Sequence, residues 1–110
     1  MNFIIVITNV DGVGLSRTVT AQITNTQSAD AHNAWAKAEV FSQGQRIPIS
    51  GRSYLRQILG IVKAGATVTA KATFDFSLSD GLIILQNGAQ VLLSVYSDEW
   101  TQTLTYNYRP

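Results

Sequence analysis

The stretch from Ala66 to Leu78 alternates between apolar and polar side chains almost without exception. Hydroxyl-bearing or charged residues separate its apolar positions, which are Ala66, Val68, Ala70, Ala72, Phe74, Phe76 and Leu78. Because successive side chains of a strand point to opposite faces, this pattern predicts a long strand with one buried face and one wet face. Strands that leave one face in water belong to antiparallel sheets.

The length, the charge and the absence of cysteine limit the classes of protein to which the chain can belong. It has 110 residues, no cysteine and a formal net charge of +1. We expect a single domain over residues 1–110 that needs no disulfide and holds no thiolate metal site. The near-neutral charge argues against a nucleic-acid partner. The longest apolar run, from Phe3 to Ile7, is too short to insert into a membrane, so an exported protein would carry its signal outside this sequence.

Residues 31–41 fit two patterns. A helix would place Ala31, Ala34, Trp35 and Ala38 on one stripe, whereas a strand would place Ala34, Ala36, Ala38 and Val40 inside. We favour the strand, because the segments on both sides are themselves predicted as strands.

The rest of the chain reads as short strands and turns. Strands are predicted over residues 2–8, 15–26, 46–50, 53–62, 89–97 and 100–108, the last two forming a hairpin. Residues 79–87 are predicted as a short helical segment capped by Ser79 or Asp80. Seven to eight strands without a long helix predict an all-β fold, an immunoglobulin-like antiparallel β-sandwich of two sheets.

Two parts of the chain resemble a known family. The run from Val19 to Thr26, followed by a polar turn and a strand ending at Gly44, resembles the opening of CARDB-type domains, and residues 61–68 resemble their middle turn. These are cell-adhesion-related, immunoglobulin-like modules of bacterial and archaeal surface proteins. The resemblance covers residues 15–108, although Gln27 replaces the usual turn glycine and residues 46–59 are longer than usual. It implies an extracellular structural or adhesive module without catalytic residues.

A weaker resemblance is to the LEA14-like desiccation proteins, which are also immunoglobulin-like. They favour Asn-Pro-Asn in the same turn, and this chain lacks that motif. This resemblance implies the alternative function, a cytoplasmic, stress-protective binding domain.

The candidate binding residues are Arg52, Tyr54 and Arg56. They alternate with Ser53 and Leu55, so on a strand they would share one face. Such a stripe could bind phosphate, an acidic polysaccharide or an acidic protein. Charges on an edge strand also protect it from aggregation, and the residues alone favour that interpretation.

Aromatic residues offer a second candidate surface. Trp35, Trp100, Tyr106 and Tyr108 could form a platform on which sugar rings stack. Aromatic side chains also fill cross-strand positions in any sandwich, and this structural role is the simpler expectation.

No catalytic or metal motif emerges. His32, the single histidine, has Asp30 nearby but no paired nucleophile, so we expect a loop pair. The candidate calcium ligands lack the Asp-x-Asp-x-Asp spacing and are more simply caps and turn residues; they are Asp75, Asp80, Asp98 and Glu99. The sequence therefore predicts no catalytic residue, no metal and no cofactor.

Together these observations predict a non-catalytic cell-surface module for adhesion, spacing or protein contact, with a protein or a polysaccharide as partner. The first strand adds one possibility. Residues 2–8 are apolar on both faces and precede a hinge with Gly12 and Gly14. The strand either closes its own sandwich or adds to the sheet of a second copy, which would make a homo-oligomer.

Overall fold

A computed structural model describes residues 2–109. They form eight strands and one helix, in the order β1 (Phe3–Asp11), β2 (Ser16–Asn25), β3 (Ala31–Ser42), β4 (Gln45–Ile47), β5 (Leu55–Val62), β6 (Thr67–Asp75), α1 (Leu78–Asn87), β7 (Ala89–Tyr96) and β8 (Thr101–Tyr108).

The strands make two antiparallel sheets. One has three strands in the order β1-β2-β6, and the other has β4-β3-β7-β8, with β5 also pairing with β3. β5 pairs with the first part of β3 and β4 with its last residues. This arrangement confirms the predicted all-β, immunoglobulin-like sandwich of two sheets.

The strand interpretation of residues 31–41 is confirmed, since β3 pairs with β5 and with β7. Ala34, Ala38 and Val40 are buried on its inner face, as the strand pattern requires. Alanine favours helices in isolation, but burial between neighbouring strands overrides that local preference.

The long alternating strand ends earlier than predicted. β6 stops at Asp75, and the chain then turns into α1. Phe74 is buried on the inner face, 2% exposed, and Phe76 packs partly against the same cluster. The alternation predicts Leu78 on the inner face, but this residue begins the helix and is 68% exposed.

The predicted helical segment is confirmed, but its cap is different. Ser77, rather than Ser79 or Asp80, is the N-cap, and its Oγ accepts a hydrogen bond of 3.2 Å from the backbone N–H of Asp80. α1 connects β6 of one sheet to β7 of the other and buries Ile84. Within the described residues, no helix is long and apolar enough to cross a membrane.

β1 is an edge strand of the three-stranded sheet and extends to Asp11, beyond the predicted end. The apolar residues on both faces of this strand predict that both faces are covered, but only one of them is. Phe3 and Ile5 face the core, whereas Ile4 and Val6 are 43% and 49% exposed. These two side chains lie on the outer face of the sheet, where an antiparallel sheet can remain in contact with water.

The core formed by residues 2–109 contains two clusters. The first is built around Phe3, Ile23 and Val62, and the second around Phe74, Val40 and Ile49. Both clusters draw residues from both sheets, so each joins the two layers of the sandwich.

Candidate binding face

The outer side of β3 carries large side chains. Because Ala34, Ala38 and Val40 occupy the inner side, the alternating residues Trp35, Lys37, Glu39 and Phe41 point away from the core. β3 lies inside the five-stranded sheet, so its neighbours on both sides add to the same outer face.

β5 adds two cation–aromatic contacts. Lys37 pairs in register with Arg56, which places both on the outer face. The Arg56 guanidinium lies 5.2 Å from the ring centroid of Trp35, and the Lys37 ammonium lies 5.0 Å from that of Tyr54. Both distances are within the range in which a cation is attracted to an aromatic ring.

β7 completes the environment of Trp35. The ring of Tyr96, opposite Trp35 in register, stacks on it with centroids 4.5 Å apart and planes inclined by 20°. Because β5 and β7 flank β3 on opposite sides, Arg56 and Tyr96 approach Trp35 from opposite sides. The flat faces of the indole are therefore occupied within the chain, which leaves little room for a stacked sugar.

A buried carboxylate anchors the other end of the face. Glu39 is only 8% exposed and accepts a hydrogen bond of 2.7 Å from Arg46 Nη1, while Lys37 Nζ lies 3.6 Å from its other oxygen. A buried charge needs such pairing. The Arg46 guanidinium also lies 4.8 Å from the ring centroid of Phe41.

We refer to this surface as the cation–aromatic face. It comprises Trp35, Lys37, Glu39, Phe41, Arg46, Tyr54, Arg56 and Tyr96. Its three cations outnumber its single acid, so the face carries a net positive charge.

The predicted stripe is only partly assembled. Tyr54 and Arg56 meet on the cation–aromatic face, but Arg52 lies outside β5 in a preceding turn. Its backbone forms two hydrogen bonds with Ile49, of 2.9 and 2.8 Å, which close that turn. Lys37 and Arg46 belong to the site without having been predicted there, although the alternation within β3 places Lys37 on the same face as Trp35.

The predicted platform of four aromatic residues does not form. Trp35 lies on the outer face, whereas Trp100 packs edge-to-face on buried Phe3 with centroids 6.2 Å apart. Tyr106 and Tyr108 pack against the second core cluster. Three of the four rings therefore pack toward the interior of the sandwich, which is the structural role expected from the sequence.

His32 pairs with a glutamate from the β7–β8 turn. Glu99 Oε1 accepts a hydrogen bond of 2.8 Å from the backbone N–H of His32. The other carboxylate oxygen, Oε2, lies 2.7 Å from Nδ1 of the His32 ring. The side-chain hydrogen bond and the charge of Glu99 raise the pKa of His32 above its ordinary value. The hydrogen bonds from the backbone and the side chain of His32 lower the pKa of Glu99.

Three of the four carboxylates considered as calcium ligands, those of Asp75, Asp98 and Glu99, contact polar groups of the chain itself. Asp98 accepts a hydrogen bond of 2.6 Å from Asn33 Nδ2, and Asp75 Oδ2 lies 3.4 Å from Ser50 Oγ. Asp80 is in the first turn of α1, and Glu99 pairs with His32. Asp30, which was expected beside His32, instead accepts a hydrogen bond of 2.9 Å from the backbone N–H of Ala64. Across residues 2–109, no three metal-binding side chains come together.

Comparisons with known proteins give the relationship of the chain. The family model described as the archaeal immunoglobulin-like domain matches residues 5–109. A crystal structure of a protein from Archaeoglobus fulgidus superposes with a TM-score of 0.51 at 11% identity, covering 97% of this chain and 90% of that chain, which shows a shared fold. The solution structure of CsgH from R. palustris has a TM-score of 0.48 at 16% identity, covering 96% of this chain and 91% of that chain. No curated protein matches the sequence significantly. The family match spans nearly the whole chain, and the protein therefore belongs to the archaeal immunoglobulin-like domain family.

Proposed function

We propose that this domain is a non-catalytic contact module of the cell surface, which binds an acidic protein partner through the cation–aromatic face. The observation that carries the proposal is the array of cations held against aromatic rings on the outer side of the five-stranded sheet. The proposed location rests on the resemblance to adhesion-related surface modules.

The array is suited to binding because its cations are already positioned. Long basic side chains lose rotamer freedom when they bind a partner, and packing against a ring removes part of that freedom beforehand. Lys37 and Arg56 stand side by side in register on neighbouring strands. Carboxylates of a partner could bind both cations through charge-assisted hydrogen bonds.

The occupied faces of Trp35 favour a protein over a polysaccharide. Sugar recognition by stacking needs a free aromatic face, and Arg56 and Tyr96 both contact this ring. Aromatic and arginine side chains packed together are instead typical of the centres of protein–protein interfaces.

The experiment is retention of the purified domain on immobilised polyglutamate. We expect retention at low ionic strength that weakens progressively as salt is added, because exposed charges are screened over about 8–10 Å near physiological ionic strength. Arg56→Gln and Lys37→Gln should each elute at lower salt. Lys63→Gln is the matched control, because it removes an exposed cation from the turn that precedes β6.

Two results would contradict the proposal. If the domain is not retained at low salt, the cations would serve only to protect the edge strand β5 from aggregation. Stronger retention on heparin than on polyglutamate, with the same dependence on Arg56 and Lys37, would identify an acidic polysaccharide as the partner.

A further inference from the structure

β8 forms one lateral edge of the five-stranded sheet, because it pairs with β7 and, among residues 2–109, with no other strand. Its pairing with β7 runs in an unbroken register, from Thr101 opposite Tyr96 to Tyr108 opposite Ala89. A strand at the edge of a sheet presents a row of unpaired N–H and C=O groups on its free side. The regular register of β8 makes this row continuous over the whole strand.

The β7–β8 turn determines which residues present these groups. The backbone N–H of Ser97 donates a hydrogen bond of 2.8 Å to the carbonyl of Trp100, so this opposite pair is of the hydrogen-bonded type. Hydrogen-bonded and non-hydrogen-bonded pairs alternate along an antiparallel ladder, and in the second type the backbone groups point away from the partner strand. The backbone groups on the free side of β8 therefore belong to Thr101, Thr103, Thr105 and Asn107.

β8 lacks the features by which edge strands avoid pairing with another chain. Charged side chains, proline and β-bulges are the usual protections of an edge. The strand contains no charged residue and no proline, and its register contains no bulge. The side chains beside the free row are exposed hydroxyl and amide groups, whereas Leu104 packs against the core. The free side of β8 is therefore open to a further strand.

The other edges of the sandwich carry such protection. On β6, the backbone N–H of Lys71 donates to Gln57 Oε1 at 3.0 Å, and the carbonyl of Asp75 accepts from the backbone N–H of Ser50 at 2.8 Å. β5 carries Arg56 and pairs irregularly with β3, β1 contains a register shift, and β4 has only three residues. Within the part of the chain that the structure describes, β8 is thus the long, regular edge that remains unprotected.

We propose that β8 pairs antiparallel with β8 of a second copy across a two-fold axis, so that one continuous sheet runs through a homodimer. The edge is self-complementary in the register that places Leu104 opposite its own counterpart. Thr103 of one copy then lies opposite Thr105 of the other, and Thr101 lies opposite Asn107. In this register the backbone groups on the free sides of both strands are all hydrogen-bonded.

The side chains of β8 favour a second copy as the occupant. The strand is uncharged and the chain has a net charge of only +1, so two copies do not repel each other strongly. The sandwich already pairs threonines across its own strands, since the hydroxyls of Thr18 and Thr73 lie 3.0 Å apart. The dimer likewise sets Thr103 opposite Thr105, and such threonine pairs stabilise neighbouring strands. Antiparallel pairing also keeps equivalent faces on the same side, so both cation–aromatic faces would lie on one surface of the joined sheet.

The first readout needs no substitution. Sedimentation equilibrium of the purified domain at increasing concentration should show a reversible change toward twice the chain mass of 12.0 kDa. In ¹⁵N NMR spectra over the same concentrations, the largest shifts should belong to the amides of Thr103 and Thr105, because their N–H groups gain an acceptor. The amides of Gln102 and Leu104, which point toward β7, should shift less.

Charges placed at the centre of the edge provide the second readout. Thr103→Lys/Thr105→Lys sets like charges opposite each other in the proposed register and should weaken dimerisation roughly tenfold, as should Thr103→Glu/Thr105→Glu. An equimolar mixture of the two variants should dimerise again at low salt, since opposite charges then face each other. Thr69→Lys/Thr73→Lys is the matched control, because it adds the same charge at exposed positions of β6 in the other sheet.

Two outcomes would overturn the proposal. One is a domain that stays monomeric at the highest concentration that an NMR sample allows, which would leave the free side of β8 to a strand of another protein. The other is a dimer that persists unchanged in a folded Thr103→Lys/Thr105→Lys variant. The two copies would then associate through another surface, such as β1 or the exposed leucines of α1.

Discussion

Truncation of Phe74 to alanine should be among the most destabilising single substitutions in this domain. The side chain is 2% exposed and belongs to the second core cluster. Its ring meets that of Phe76 edge-to-face, with centroids 6.4 Å apart and planes inclined by 76°. Phe74→Ala removes that contact and leaves a void between the sheets, so we expect a loss of about 3–5 kcal/mol in the free energy of unfolding.

This loss converts into a large shift in melting temperature. The entropy of unfolding is about 2.1 cal/mol/K per residue, which for 110 residues amounts to about 0.23 kcal/mol/K. A loss of about 3–5 kcal/mol then lowers the melting temperature by roughly 13–22 °C. The assay is thermal unfolding followed by circular dichroism, supported by urea denaturation for the free energy.

Thr73→Ala is the control, because it changes the adjacent residue on the opposite face of β6. Its Oγ1 lies 3.0 Å from that of Thr18, and both groups are exposed. Losing one exposed hydrogen bond should cost less than about 1 kcal/mol, or a few degrees. Equal shifts for Phe74→Ala and Thr73→Ala would mean that the register of β6 is wrong.

Three further predictions concern the rest of the sandwich. In an NMR titration the pKa of His32 should lie above its ordinary value, and Glu99→Gln should bring it back toward that value. Their ion pair stabilises the fold at pH values between the lowered pKa of Glu99 and the raised pKa of His32. This contribution is lost as the pH falls through the pKa of Glu99 or rises through the pKa of His32. A free energy of unfolding that does not change with pH across both limits would contradict this prediction. Asn25 is fully buried and donates hydrogen bonds to the carbonyls of Ala29 and Val62. Asn25→Ala should therefore lower the free energy of unfolding, measured by urea denaturation, by about 1–3 kcal/mol. An unchanged free energy would show that water replaces the amide. Deletion of residues 1–10 should destabilise the chain or make it aggregate, because β1 pairs with β2 of its own sheet; a folded monomer by light scattering would instead support pairing of this strand with a second copy.

The elements with a clear period could be predicted from the sequence. The alternation of β6 predicted that Phe74 lies on the buried face of the strand. β3 was predicted as a strand because the segments before and after it were predicted as strands. Side-chain direction in a strand depends only on its two-residue period, so the buried face is a local property of the sequence.

The ends of these elements were less predictable. β6 stops at Asp75 because the chain turns into α1, and the cap falls on Ser77 rather than on its equally suitable neighbours. Several hydroxyl-bearing residues in succession can each cap a helix, and only the packing of Ile84 into the core selects one start.

The candidate site shows the same division. The sequence alone determined a two-sheet antiparallel sandwich with period-two strands, and it placed Tyr54 and Arg56 on one face. Only the tertiary structure brought Lys37 and Trp35 to that face and moved Arg52 into a turn. It alone also placed β8 at the edge of its sheet, with one side free. The face to which a side chain points follows from the residues next to it in the strand. The register between strands and the way two sheets pack against each other depend instead on residues distant in the chain.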